Sequence, residues 1–267
     1  MIQVPMKTEG PLNKQTVLSI NQKRIQGPKT SQDIYSINAG STSRPRSSSV
    51  PQPRPSSPPQ PRPSATVPQN TVTTRPIPQK PIPTLMHPMR KGEKISLESN
   101  GTLAKVKACL GWNVTNNACD VDVSAFLLNE SGRVLGDTWF VFYGQTISPD
   151  GSTVFSADSN TDRETISIDF QKLNSKVQKI VFVLTINEAL EKRLNFSMLK
   201  DAYIRMIDQT SGQELASFQM DEYYSNVTSM MIGEVYKHKN IWKFNAIGNG
   251  VAKDLAGLCA LYGVLVE

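Results

Sequence analysis

From Lys91 onward, the chain alternates short apolar segments with polar turns. Ten segments rich in β-branched and aromatic residues are separated by Gly, Asn, Asp and Ser. They are EKISLES, TLAKVKACLGW, DVSAFLLN, WFVFYG, TISIDF, KIVFVLTI, AYIRMID, ELASFQM, MMIGEVYKH and IWKFNAI. Strands of this length with turn signals between them are typical of two packed sheets. The pattern therefore predicts a mainly β fold, a two-sheet β-sandwich.

Two further stretches have the pattern of helices. NEALEKRL at 187–194 begins with Asn187 as a candidate N-cap, and VAKDLAGLCALYG precedes the last residues of the chain. The segments GEVYKH and IWKF are separated by a polar turn that contains His238, which predicts a hairpin. We therefore expect one or two helices flanking the sandwich.

The first part of the chain has a different composition. Seventeen of the 18 prolines lie at or before Pro88, and PQPRPS occurs at 51–56 and again at 59–64. A segment with so few apolar residues cannot bury enough surface to offset the entropy of ordering it. The predicted organisation is a disordered or short docking segment at 1–40, a disordered Pro/Ser/Arg-rich linker at 41–88, and the β domain at 89–267.

Charge separates the same two parts. Residues 1–92 contain 13 Lys or Arg and two acids, a net charge of +11, so the chain's total of +6 leaves −5 for residues 93–267. Such a tail attracts nucleic acid or an anionic surface weakly, in a salt-dependent way. Tyr35 is its only aromatic residue for stacking on bases, so we predict no specific nucleic-acid partner.

The sequence also predicts a compartment. The start MIQVPMKTEG lacks the basic and apolar regions of a secretion signal, and the longest apolar runs are far shorter than the ~20 residues of a membrane span. Three cysteines without an export signal fit buried free thiols in a reducing compartment. We expect a cytoplasmic protein that does not itself span a membrane.

Motifs of catalysis are missing from the sequence. The two histidines, His87 and His238, have no nucleophile in a recognisable context, and there is no GxSxG, P-loop or CxxC. The glycines of IGNGVAKDL are a weak phosphate-binding signal, and a strand-to-helix turn is the simpler interpretation. Arg205 in AYIRMID is interpreted as one half of an ion pair on a strand face. We predict that the protein is not an enzyme.

Acidic residues are the most informative candidates for a site. Asp120 and Asp122 lie two apart at the head of a predicted strand, so they share a face and repel unless a cation or solvent neutralises them. A second cluster places an oxygen donor at every second position: Asp158, Asn160, Asp162 and Glu164. This spacing suits a calcium loop, and a solvated polar turn is the alternative. Arg163 excludes an EF-hand, since it occupies the position where that loop needs Gly.

Many ordered pieces of the chain resemble one family. They include MRKGEKISLES, LGWN, DVDVSAFLLNESGRVLGD, FVFYG, SPDGS, KIVFVLTI, AYIRMIDQTSGQELASF, GEVYKH, WKFNAIGNG and LAGLCALYGVLV. In this order they are similar to the TerD family of tellurite-resistance and general-stress proteins. The resemblance spans nearly the whole predicted domain and none of the tail.

The resemblance implies a cytoplasmic bacterial β-sandwich that binds calcium through acids and has no established catalytic activity. Asp120, Asp122 and Ser124 fall on the family's DLDAS motif, and Asp158 and Thr161 on its GDNxTG motif. Glu164 falls on the Glu that closes the acidic run after that motif.

This chain departs from the family pattern in two places. Ala118 and Cys119 stand where the family carries another acid, and the acidic run before the closing Glu is shortened to Asp162 and Arg163. Fewer carboxylates neutralise a divalent ion less well. We expect one retained calcium site, with the second weakened or lost.

Two functions follow from these observations. The first is a non-enzymatic calcium-binding stress-response protein of the tellurite-resistance type, which docks on protein partners such as membrane components of the same resistance system. The alternative is a binder of small ligands of the cyclic-nucleotide kind, as the family resemblance also suggests.

Overall fold

A computed structural model describes residues 77–98, 104–157 and 161–266 of the chain. Within these ranges it shows a mainly β protein with eleven strands in two antiparallel sheets. The predicted two-sheet sandwich is therefore confirmed. The segment predicted at 1–40 and most of the linker predicted at 41–88 lie outside the described residues.

The eleven strands, in chain order, are β1 Lys94–Ser96, β2 Lys105–Val114, β3 Val121–Leu128, β4 Phe140–Val141, β5 Thr153–Ala157, β6 Glu164–Asp169, β7 Lys179–Ile186, β8 Leu199–Asp208, β9 Glu214–Gln219, β10 Ser229–His238 and β11 Ile241–Val251. They form two sheets with the strand orders β1-β11-β10-β7-β3-β4 and β5-β6-β2-β8-β9. All ten predicted segments contain a strand, and KIVFVLTI matches β7 at both ends. Strand β5 was missed, since its five residues lie between polar turns and alternate only briefly.

The core lies between the two sheets, and β3 shows how it forms. Its alternate residues Val121, Val123 and Ala125 are buried in the cluster between the sheets. Its other face carries Phe126, which packs in a second cluster on the outside of the six-stranded sheet. All eight residues of β3 are buried because both faces are covered.

Helix α2, Leu255–Tyr262, covers part of that outer face. It begins at Asp254, whose side chain accepts a hydrogen bond from the backbone N–H of Gly257 at 2.8 Å. It ends at Gly263, whose φ of 83° lies in the left-handed region that glycine adopts without cost. The predicted C-terminal helix is confirmed, and it gives the sandwich a third layer.

Helix α1, Ala189–Lys192, is shorter than the predicted 187–194. The backbone is left-handed at Glu188 and at Arg193, with φ of 51° and 54°. These residues bound the helix, so the prediction of Asn187 as its N-cap is wrong. The hydrophobic pattern could not reveal these two backbone conformations.

The predicted hairpin joins β10 to β11. His238 pairs with Ile241, and the two turn residues Lys239 and Asn240 have positive φ of 50° and 62°. Two left-handed residues in succession match the twist of the flanking strands. The hairpin prediction is confirmed, with His238 at the end of β10 beside the turn.

The last residues of the predicted linker lie against the five-stranded sheet. Lys80 exchanges two hydrogen bonds with the side chain of Asn113 on β2, at 2.8 and 2.9 Å. The His87 carbonyl accepts from the backbone N–H of Ser217 on β9 at 2.8 Å. The contacts of the folded domain thus extend before residue 89, the predicted boundary.

Candidate functional site

Glu164 joins the two sheets at the start of β3. Strand β4 pairs with β3 only at Ala125 and Phe126, so the first part of β3 has no strand neighbour on that side. The Glu164 side chain, 4% exposed, accepts a 2.6 Å hydrogen bond from the backbone N–H of Val123. A carboxylate from β6 therefore satisfies an edge donor of the opposite sheet. Such a charge-assisted bond is worth about 2 kcal/mol.

Asp162 is held by an arginine. Its buried carboxylate contacts Arg205 Nη2 at 2.8 and 3.0 Å and Nε at 3.3 Å, and it accepts from the Tyr203 hydroxyl at 3.0 Å. Burial lowers the pKa of Arg205, but hydrogen bonding and the charge of Asp162 outweigh it and leave the pKa raised. Burial and the same carboxylate raise the pKa of Tyr203. Arg205 thus forms the ion pair expected on a strand face.

Gly111 makes room for the hydroxyl that binds Asp162. Tyr203 pairs with Gly111 across β2 and β8, and its ring lies where a β-carbon on Gly111 would stand. Any other residue at this position would displace the ring. Because Gly111 has no side chain, the Tyr203 ring can occupy this space, and its hydroxyl reaches Asp162.

Asp120 and Glu164 line one hollow, which we call the β3–β6 hollow. It has a volume of about 360 Å³ and lies where the starts of β3 and β6 approach the end of β5. It is lined by Lys80, Trp112, Val114, Cys119, Asp120, Val121, Ala157, Arg163 and Glu164. Asp158 and Asn160 lie outside the described residues, in the short segment that follows Ala157. The structure thus brings together one acid from each of the two predicted clusters.

Two cations share this hollow with the acids. Arg163 lies 5.6 Å from the ring centre of Trp112, and its Nε donates to the Trp112 carbonyl at 2.5 Å. Burial lowers the pKa of Arg163. Lys80 donates from Nζ to the Asp162 carbonyl at 2.5 Å. The charges of Asp120 and Glu164 are therefore partly balanced within the protein.

Asp122 lines a different space from Asp120. Asp120 is exposed and precedes β3, whereas Asp122 lies inside the strand and is 9% exposed. Asp122 lines a cavity of about 260 Å³ on the outer face of the six-stranded sheet, beside the start of α2. We call this space the helix-side cavity. The prediction that both acids form one wall of a site does not match this arrangement.

The described acids of the β3–β6 hollow are fewer than a calcium ion needs. Asp120 and Glu164 supply carboxylate oxygens, which calcium prefers, but it takes 6–8 oxygens in all. Within the described ranges, no three His, Cys, Asp or Glu side chains form a group that could hold a metal ion. Asp162 is engaged by Arg205 and Asp122 lies elsewhere. A calcium site in the hollow would therefore need oxygens beyond those of Asp120 and Glu164.

The helix-side cavity is poorly suited to a phosphate. Four carboxylates line it, those of Asp122, Glu188, Glu191 and Asp254, and they would repel an anionic nucleotide. The sequence GNG lies inside β11, where a β-carbon on Gly250 would meet Val227 at 2.5 Å. That glycine serves strand packing, and the following helix start is already capped by Asp254. These contacts argue against the cyclic-nucleotide alternative.

The three thiols are free and buried, as predicted. Burial raises the pKa of Cys109 to about 11 and that of Cys259 to about 12. Burial also raises the pKa of Cys119, which lines the β3–β6 hollow. Because the thiolate is the reactive form, these thiols are poorly suited to redox chemistry on tellurite.

Two charged residues with long-range contacts, Lys80 and Glu214, were not identified from the sequence. Lys80 was assigned to a disordered linker, and nothing in its Pro-flanked context signals a contact with Asp162. Glu214 was not singled out, although its Oε1 accepts the backbone N–H groups of Met86 and His87 at 2.8 and 2.9 Å. Both are long-range contacts, which single-sequence patterns do not encode. Arg163 was noted for standing where an EF-hand loop needs Gly, but its position over the Trp112 ring was not predicted.

A solved homologue of telluride resistance protein (TerD) from Streptomyces coelicolor A3(2) is 16% identical, covers 62% of this chain and 100% of its own, and superposes with a TM-score of 0.46. No helix of the described part is long and apolar enough to cross a membrane.

Sequence comparison is more specific. The chain is 37% identical over 185 residues to the tellurium resistance protein TerD of Serratia marcescens, covering 66% of this chain and 96% of that protein. It is 33% identical over 188 residues to general stress protein 16U of Bacillus subtilis, covering 67% and 97%. The profile of the TerD domain matches residues 85–262. The chain therefore belongs to the TerD family of tellurium-resistance and stress-response proteins.

Proposed function

We propose that this chain is a non-enzymatic stress-response protein that binds one calcium ion in the β3–β6 hollow and acts in the cytoplasm as a docking or scaffold module. One observation carries the proposal: Asp120 and Glu164, from the two acidic clusters, line the same hollow. Relatives bearing the names tellurium resistance protein and general stress protein support the physiological setting.

Each acid has a distinct part in the proposed site. Asp120 is exposed and so accessible to an incoming ion, while Glu164 is fixed by its bond to Val123 and offers a preorganised oxygen. Asp158 and Asn160 would add oxygens from the adjoining loop. Bound calcium would supply positive charge that links the two sheets and this loop.

Lys80 and Arg163 set the expected strength of the site. Both lie in the wall of the hollow, so calcium binds against two positive charges. Rigid, carboxylate-rich sites reach much higher affinity than sites with few acids. We expect a weak site, with a dissociation constant on the order of 10⁻⁴ M.

Titration of the full chain with calcium by calorimetry tests this proposal. We expect saturable binding and a raised melting temperature, because the ion binds only the native state. Asp120→Asn should weaken binding at least tenfold, by about 1.4 kcal/mol. Asp122→Asn is the matched control and should bind like the wild type, because Asp122 lines the other cavity.

Absence of heat and of any shift in melting temperature at millimolar calcium would contradict the calcium proposal. Equal loss in both variants would instead favour the original pairing of Asp120 with Asp122. Magnesium, which prefers an octahedral shell and retains its waters, provides the ion control.

The docking role needs a separate test. We propose protein partners, including membrane components of a tellurite-resistance system. Affinity purification of the full chain with calcium or with a chelator should give partners that depend on calcium and on Asp120. The same partners recovered with Asp120→Asn and chelator would show that docking does not use the hollow.

A further inference from the structure

The helix-side cavity lies where α2 stops covering the outer sheet face. Under α2 this face is apolar, with Phe126 and Val183 buried in the second cluster. Beyond the start of α2 it becomes polar, with Asp122 paired to Thr185 across β3 and β7. The cavity opens between this end of the sheet, α1 and the start of α2.

Its lining combines apolar surface with negative charge. Ile186, Leu190 and Leu255 contribute apolar side chains, and Leu190 is 57% exposed. The carboxylates are those of Asp122, Glu188, Glu191 and Asp254, and among the described residues no Lys, Arg or His lines the cavity. Lys192 pairs with Glu188 at 2.5 Å from outside the lining and offsets one charge. The complementary occupant is therefore apolar and cationic.

The chain itself contains one such segment. Residues 12–25, LNKQTVLSINQKRI, hold five Leu, Val or Ile together with Lys14, Lys23 and Arg24, and no acid. We propose that this segment, which lies outside the described residues, docks in the helix-side cavity of its own chain. Its apolar side chains meet Leu190 and Leu255, and its cations face Glu191 and the other carboxylates.

The linker length permits this contact. Fifty-one residues, 26–76, separate the segment from the first described residue, Ile77. A chain of 51 residues reaches up to about 170 Å when fully extended, several times the radius of a domain of this size. Because the contact is intramolecular, the tether raises the effective concentration of the segment at the cavity, so even a weak contact is populated. The Pro-rich stretch carries arginines but few apolar residues, so it could not fill the apolar part of the cavity.

The test uses the full chain and the backbone amide resonances of Leu190, Glu191 and Leu255. The variant Lys14→Glu/Lys23→Glu/Arg24→Glu reverses the three charges of the segment. We expect these resonances to shift relative to wild type and to return when free peptide 12–25 is added in excess. Arg54→Glu/Arg62→Glu/Arg75→Glu is the matched control, with the same charge change in the same tail.

A charge swap provides a second arm. Glu191 is exposed, so Glu191→Lys leaves the core intact. In the otherwise wild-type chain it should move the Leu255 resonance toward its position in the reversed-segment variant, because it removes an attractive charge from the cavity wall. The wild-type positions should also be independent of protein concentration, because the contact forms within one chain.

Four results would overturn the proposal. If the cavity resonances are unchanged in the variant with the reversed segment, the segment does not occupy the cavity. If the matched control shifts them equally, the effect comes from the total charge of the tail and not from residues 12–25. Loss of the wild-type positions on dilution would assign the segment to a second copy. Shifts caused by n-butylammonium but not by the peptide would assign the cavity to a small organic cation.

Discussion

Asp162 forms an ion pair with Arg205, although the sequence pattern predicts it as a calcium ligand. The sequence places Asp162 in a run of oxygen donors, but the structure turns its carboxylate toward Arg205 and Tyr203. Both charged side chains are mostly withdrawn from water, with exposures of 5% and 15%. Removal of the arginine would leave a buried carboxylate without its cation, which destabilises the fold. The same ion pair makes the carboxylate poorly available to a metal ion.

Removal of the arginine charge should destabilise the fold. Arg205→Met leaves Asp162 buried without its cation, and we expect the free energy of unfolding to fall by about 3 kcal/mol. Urea denaturation measures this change, and Arg193→Met at an exposed position is the control. The double variant Arg205→Met/Asp162→Asn should recover part of the loss. A loss below about 0.5 kcal/mol would place the pair among ordinary surface contacts.

Gly111 yields a prediction about packing. Gly111→Ala forces its β-carbon against the Tyr203 ring and should lower the free energy of unfolding by about 2 kcal/mol. Gly136→Ala is the matched control, because its β-carbon would meet only Trp139, at 3.7 Å. Equal stability of the two variants would show that Tyr203 moves aside without cost.

At the scale of elements, the strands were predictable and their ends were not. Apolar periodicity located β7 to the residue, because a buried central strand is uniformly apolar. The same reasoning placed Asp120 and Asp122 on one face, but in the structure β3 begins at Val121 and the two acids line different spaces. The left-handed Glu188 and the contacts of Lys80 depend on tertiary structure, and so did not appear in the pattern.

The segment before residue 89 should contribute to stability. A chain that begins at residue 89 lacks the contacts of Lys80 with Asn113 and of His87 with Glu214. Compared with a chain that begins at residue 77, we expect its free energy of unfolding to be lower by at least about 2 kcal/mol. Several hydrogen bonds of about 1 kcal/mol each are lost, and the entropy of ordering residues 77–88 offsets only part of them. Chemical denaturation of the two chains measures the difference. Identical stabilities of the two chains would show that residues 77–88 do not stabilise the domain and belong to the linker.

At the scale of the whole molecule, opposite charges separate along the chain. Residues 1–92 carry +11 and residues 93–267 carry −5. The helix-side cavity concentrates part of the negative charge, so a cationic segment has the most to gain there. In the β3–β6 hollow the acids Asp120 and Glu164 are accompanied by Lys80 and Arg163. The sequence revealed the charge separation, but the two separate spaces emerged only from the fold.

The buried thiols make the free energy of unfolding depend on pH. Cys109 has a pKa raised to about 11 against an ordinary value of 9.0, so its proton is bound in both states below pH 9. Between pH 9 and 11 only the unfolded chain releases that proton, and the free energy of unfolding falls as pH rises. Alkylation by iodoacetamide at pH 8, followed by mass spectrometry, should be far slower at Cys109 and Cys259 than in urea. Rapid native labelling of either residue would contradict their burial.

Terbium luminescence sensitised by tryptophan tests the calcium proposal most directly. Trp112 lines the β3–β6 hollow together with Asp120 and Glu164, so an oxygen-seeking lanthanide bound there lies beside its indole ring. We predict emission that calcium displaces, that Asp120→Asn abolishes, and that Trp112→Phe removes while calorimetric binding remains. Undiminished emission from Trp112→Phe would locate the ion elsewhere, and no emission from the wild type would contradict a metal site in the hollow.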